Sequence, residues 1–165
     1  FEKLGLVYTR IYPEGLSLNG SKVTYENYTT AREMASLFEQ IYKGEMVDQY
    51  SSELMLDILR NQKSRARLAK NLPMGWEIAH KTGLLRLACH DSAIIFSPDN
   101  AYSLTVLTGQ NNNYKIAKEF ISRLGRVTYR YYRSDSRIAT RRASAGSSAS
   151  DGARRPTRGE SSSPR

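Results

Sequence analysis

Lys81, Thr82 and Gly83 are the residues whose types and spacing point most directly to chemistry. From Trp76 onward, Trp76, Ile78 and His80 alternate with Glu77, Ala79 and Lys81, which is the period of a strand. That period puts Lys81 and Gly83 on one face and His80 and Thr82 on the other. Lysine is disfavoured within a strand, so a cation here is aimed at something. A glycine in a strand lets a ligand backbone come close. A point charge, a hydroxyl and backbone N–H groups together make an edge that receives an anion. The plainer reading of the same tripeptide is an exposed edge strand whose lysine blocks unwanted pairing.

The elements that must position this edge follow from periodicity. Residues 1 to about 29 are rich in Gly, Asn, Ser and Tyr, with turn signals at Pro13-Glu14-Gly15 and Asn19-Gly20, and read as a long loop. Residues 30–73 read as helical. Thr30-Ala31-Arg32-Glu33 predicts a capping box, followed by the apolar stripe Met34, Leu37, Phe38, Ile41 and Tyr42, with Gly44 as the stop. A second helix begins at Ser51 or Ser52 and carries Leu54, Met55, Ile58 and Leu59; a short segment from Ser64 ends at Pro73. Residues 76–108 predict three strands, the second around Ile94-Ile95-Phe96 and the third over 102–107, joined by short turns as an antiparallel meander. A terminal helix over 113–132 is expected to turn Ile116, Phe120, Ile121, Leu124 and Val127 to a core. The fold class is α+β, or layered α/β: an antiparallel sheet flanked by helices. Residues 1–133 form the folded part. The Ser/Arg-rich stretch 134–165 has almost nothing to bury and is expected to be disordered.

Composition removes several function classes. Cys89 is the sole cysteine, so no internal disulfide or multi-cysteine zinc site is possible, and it reads as a small buried apolar residue. His80 and His90 are too few for a metal cluster, and no cofactor is expected. No apolar run approaches the roughly 18 residues of a membrane span. The net charge is +9, but residues 134–165 hold seven Arg against Asp135, Asp151 and Glu160, about half of the excess. Nucleic acid is therefore not the expected partner, and the chain is expected to be a monomer.

Order along the chain adds a resemblance. Asn27-Tyr28-Thr29-Thr30-Ala31-Arg32-Glu33-Met34-Ala35, then Leu72-Pro73, Lys81-Thr82-Gly83, His90-Asp91 opening the next strand, and Leu104-Thr105-Val106-Leu107-Thr108 follow one another in a helix–strand–strand–strand–helix frame. The frame resembles the C-terminal half of class A β-lactamases and related penicillin-recognising serine hydrolases, over about Gly5 to Arg130. The resemblance implies an active-site wall built on the Lys81 strand. Lys81 would supply positive potential to a substrate carboxylate, and the Thr82 hydroxyl would bond it. Gly83 would leave room for the substrate to lie as an extra strand, and the Leu84 N–H would be one of two oxyanion donors, worth about 2.7–4 kcal/mol in comparable sites. The substrate class implied is a β-lactam or peptidoglycan-like molecule, and the compartment secreted, periplasmic or cell-surface.

The family's nucleophile lies in Ser-x-x-Lys and a second element in Ser-Asp-Asn. No lysine here has a serine three residues before it, and Ser-Asp-Asn is absent. Ser17-Leu18-Asn19 and Tyr25-Glu26-Asn27 imitate the second motif too close to Lys81 and read as coincidence. The chain opens at Phe1 without a basic-then-apolar leader and reads as truncated, with both true motifs expected upstream and the sheet incomplete. Glu14, after Thr9-Arg10-Ile11, stands nearest to the place of the deacylating glutamate, with Glu26 the other carboxylate nearby; an exposed loop carboxylate is the plainer reading of Glu14. Without such a base, a slowly deacylating or penicillin-binding relative fits better. The expectation is thus part of a serine β-lactamase-like hydrolase, inactive alone. A D-alanyl-D-alanine carboxypeptidase-like peptidase and a non-catalytic binding module with a basic tail are the alternatives. An unpartnered strand edge further predicts marginal stability or aggregation of the isolated chain.

Overall fold

The structure is a computed structural model and describes residues 1–13, 25–85 and 87–150, with side chains as far as residue 133. Glu14 lies outside the described residues, as do Ser17-Leu18-Asn19 and the last stretch, 151–165.

Helix α1 spans Ala31–Lys43. Thr30 caps it, its hydroxyl accepting from the Glu33 N–H at 3.2 Å. The reciprocal half of the expected capping box does not form, because the Glu33 carboxylate is engaged by residues 8 and 9 instead. Gly44 ends the helix with φ 77°, the left-handed region where a side chain is strained, and a Cβ there would collide with the Gln49 side chain. Helix α2, Gln49–Arg60, starts before the expected serines because Asp48 is its cap, accepting from the Ser51 N–H at 2.6 Å. Ser52 is buried instead, bonded to the backbone of Met46. The segment after Ser64 yields only a short 3-10 helix, Leu68–Asn71.

Strands β1 (Glu77–Leu85), β2 (Ala88–Phe96) and β3 (Ala101–Thr108) form the antiparallel meander in the order β1-β2-β3. The middle strand begins six residues before Ile94. Cys89 to Asp91 are polar or small and show no strand period, so only the resemblance, which opens the strand at His90-Asp91, reached back to them; β2 lies between two partners and is covered on both faces. One face carries Ala79, Ile94 and Phe96 against Phe38 of α1 and Leu56 and Leu59 of α2. The other carries Ile78, Cys89, Ala93, Ile95 and Val106 against Leu68 and the terminal helix α3. The sheet is thus the middle of three layers.

Helix α3 is Tyr114–Ser150, 18 residues past the expected end at 132. Four alanines and four arginines, both strong helix formers, are spread through that extension, and no proline interrupts it before Pro156. Its inward face also differs from expectation. Ile121 and Leu124 pack into the core with Ala117 and Tyr129, whereas Ile116, Phe120 and Val127 are exposed. A helix turns one stripe inward, and the small residues Ala117, Ser122 and Gly125 let α3 approach closely on theirs.

Candidate functional site

Strand β1 is an edge of the sheet, so alternate backbone groups along it face away from β2. The register confirms the alternation: Lys81 lies opposite Ser92 and Gly83 opposite His90, while His80 lies opposite Ala93 and Thr82 opposite Asp91. Lys81 is exposed, and its Nζ donates to the Thr82 carbonyl at 2.7 Å. Among the described residues no carboxylate lies within ion-pair distance of it. Thr82 and Gly83 are half-buried, and Leu84 is exposed. The atoms nearest to a Cβ built on Gly83 belong to His90, at 3.4 Å, an ordinary contact.

The other face of the same strand is anchored by a buried polar cluster. Asp91 is wholly buried; one carboxylate oxygen accepts from the Leu68 N–H at 3.0 Å and the other lies 3.0 Å from His80 Nδ1. Because carboxylate oxygens accept from an N–H, this geometry places the His80 proton on Nδ1 when the ring is neutral. Nε2 of His80 has no hydrogen-bond partner among the described residues. Leu68 is fixed again through its carbonyl, which accepts from the Tyr129 hydroxyl. Beside it the buried Arg67 donates through Nε to Cys89 Sγ at 3.3 Å. Burial, and the nearby Arg67 cation, lower the pKa of the half-buried His90; its Nδ1 accepts from the Thr108 N–H at 3.1 Å, as a neutral ring does.

The loop at the start of the chain is held by a second cluster. Glu33 is buried and accepts from the Tyr8 N–H and the Thr9 hydroxyl, each at 2.7 Å, and Thr9 shares a hydrogen bond with Thr29 at 2.8 Å. Arg10 and Tyr28 exchange backbone hydrogen bonds. Burial by itself would raise the Glu33 pKa, but the hydrogen bonds from Tyr8 and Thr9 outweigh it and hold the carboxyl below its ordinary range. A depressed carboxyl pKa adds stability that is complete above the unfolded value and lost as pH falls through the folded one. The segment around residues 7–10 is therefore expected to resist protease at neutral pH and to become cleavable in acid below the usual carboxylate range. Glu33→Gln should show fast cleavage at both pH values. Equal cleavage of the parent across that range would rule out the tether.

The sequence located Lys81, Thr82, Gly83 and Leu84 on one strand, but gave no sign of the Glu33 tether or of Arg67. Asp91 drew notice only through its place beside His90.

The comparisons with known proteins agree with this architecture. A family profile described as "Beta-lactamase enzyme family" matches residues 1–132. Among solved structures, PBP-A is 27% identical with a TM-score of 0.68, covering 81% of this chain and 49% of its own. A PBP-A mutant solved as an acyl-enzyme complex with penicillin G is 25% identical, with TM-score 0.70 and coverages of 81% and 49%. The β-lactamase of Sphaerobacter thermophilus is 21% identical, with TM-score 0.70 and coverages of 77% and 49%. The chain thus spans about half the length of these relatives. No curated protein matches it. With the profile covering most of its length and the sheet, helices and order in agreement, the chain belongs to the β-lactamase enzyme family.

Proposed function

We propose that this chain is the substrate-receiving wall of a β-lactamase-like serine hydrolase that opens β-lactam amide bonds through an acyl-enzyme. The observation that carries the reading is the state of β1. A cation without an ion-pair partner among the described residues, a hydroxyl and a glycine stand in a row on an open sheet edge. Among the described residues neither backbone conformation nor the nearest packing demands the glycine: Gly83 has no positive φ, and a Cβ would meet His90 at an ordinary contact distance. Room for an incoming ligand backbone is a reason for glycine that does not depend on the chain's own packing.

In this reading Lys81 attracts the substrate carboxylate and the Thr82 hydroxyl donates to it. The substrate lies along Gly83 as an added strand, and the Leu84 N–H stabilises the oxyanion formed when the carbonyl is attacked. The nucleophilic serine comes from polypeptide outside these 165 residues, since no Ser-x-x-Lys is present. Glu14 is the candidate base for the water that releases the acyl group. Should Glu14 not serve, acylation without rapid release describes a penicillin-binding peptidase, a second reading favoured by the identity to PBP-A.

Fluorescent penicillin tests the reading. The chain alone should not be labelled, whereas the chain joined to an upstream half carrying Ser-x-x-Lys and Ser-Asp-Asn should label covalently. A folded, joined protein that takes no label would refute the assignment. Persistent label in both the joined protein and its Glu14→Gln variant would favour the penicillin-binding reading, and rapid release lost only in the variant would favour the β-lactamase.

A further inference from the structure

The buried face of β1 carries a polar pair that the proposed chemistry leaves unused. His80 and Asp91 are 1% and 0% exposed, and His80 Nδ1 lies 3.0 Å from one Asp91 carboxylate oxygen. In the register Asp91 stands opposite Thr82, so its bond to His80 runs diagonally and brackets Lys81. Asp91 is itself fixed. Its other oxygen accepts from the Leu68 N–H at 3.0 Å, and the Leu68 carbonyl accepts from the Tyr129 hydroxyl of α3. A continuous line of buried contacts thus runs from α3 to the residue before Lys81. Strand β1 needs such a line, because it is an edge with a hydrogen-bonded neighbour on one side only.

Stability alone does not account for the imidazole. Its Nε2 is buried without a hydrogen-bond partner among the described residues, a cost that an apolar side chain would not carry. Ile78, two residues earlier on the same face, is that apolar alternative in the same core. Breaking a buried ion pair is costly, yet replacing it whole by apolar residues is often neutral, and fixing a register is its best-attested use. We infer, resting on the reading of β1 as the substrate wall, that His80 is a positioning residue for Lys81. Its Nδ1–H, held by Asp91, keeps β1 at the depth and tilt where the Lys81 ammonium meets the substrate. His80 points to the opposite face from Lys81 and acts through the backbone between them.

Acylation by fluorescent penicillin, in the protein joined to a nucleophile-bearing half, tests this. Asparagine places its amide nitrogen where Nδ1 stands, and glutamine places its own nearer to Nε2. His80→Asn should therefore acylate close to the parent's rate. His80→Gln should slow acylation about tenfold, less than the roughly hundredfold that a displacement of about 1 Å can cost. His80→Ala removes both nitrogens and gives the same reading where glutamine is too long to pack. His80→Gln combined with Lys81→Ala should lose no more than Lys81→Ala alone, because an absent lysine cannot be misplaced; a merely structural role would make the two losses add. Each rate is read well below that variant's urea midpoint, so unfolding does not enter. Parent-like acylation by His80→Gln and His80→Ala, an equal loss in His80→Asn, or additive losses in the double variant would overturn the inference while Lys81→Ala stayed slow. Parent-like acylation by Lys81→Ala would instead remove the substrate wall, and the role of His80 with it.

Discussion

Asp91→Ala is expected to unfold the chain or leave it barely folded, with a loss of about 3–5 kcal/mol if the pair with His80 is charged. The size follows from what the carboxylate holds. It accepts from the Leu68 N–H and faces His80 Nδ1, and all three groups are buried. Removing it leaves two buried donors with no acceptor, at about 1–3 kcal/mol each even if the pair is neutral. Against a total of about 5–15 kcal/mol for an ordinary domain, that is a large share. The damage is also geometric, since Asp91 joins the 3-10 helix at Leu68 to the β1–β2 pair, and Leu68 is tied onward to Tyr129 of α3. Asp91→Asn keeps one acceptor and should lose less. Urea unfolding followed by circular dichroism measures both; an alanine variant with the parent's midpoint would show that the cluster does not carry the fold.

Local chemistry made much of this fold legible before any coordinates. Thr30 and Gly44 bracket α1 because both act on their own backbone neighbours, and Phe38 and Ile41 turn inward as their spacing requires. The alternation around Lys81 placed it on an exposed strand face for the same reason. What escaped depends on distant partners. Glu33 has two competing uses, an intrahelical cap or the backbone and hydroxyl of residues 8 and 9, and only tertiary structure decides between them. By periodicity alone His90, Asp91 and Ser92 look too polar for a central strand until Asp91 meets Leu68 and His80 across the fold. In α3 two apolar stripes compete for one buried face, and the stripe beside the small residues takes it. The candidate site was legible only as a row on β1.

The second large effect concerns that row. In the protein joined to a nucleophile-bearing half, Lys81→Ala is expected to slow penicillin acylation by about ten- to hundredfold. A hydrogen bond to a charged group contributes about 1.5–3 kcal/mol, and each 1.36 kcal/mol is a factor of ten in rate. Stability should scarcely change, because Lys81 is exposed and its recorded hydrogen bond is to the adjacent Thr82 carbonyl. Rate and unfolding midpoint therefore separate a substrate contact from a structural role. A further comparison separates attraction of the substrate from activation of the serine. If Lys81 acts on the carboxylate, a β-lactam whose carboxylate is blocked as a neutral ester already lacks that attraction, and the alanine variant should acylate with it about as fast as the parent. If the ester shows the same loss, the charge serves the nucleophile and the carboxylate must be gripped elsewhere. Gly83→Val completes the argument: a Cβ here meets His90 at an ordinary contact distance, so the fold should survive while a substrate lying along β1 is displaced. Unchanged acylation in both Lys81→Ala and Gly83→Val would remove β1 from the active site.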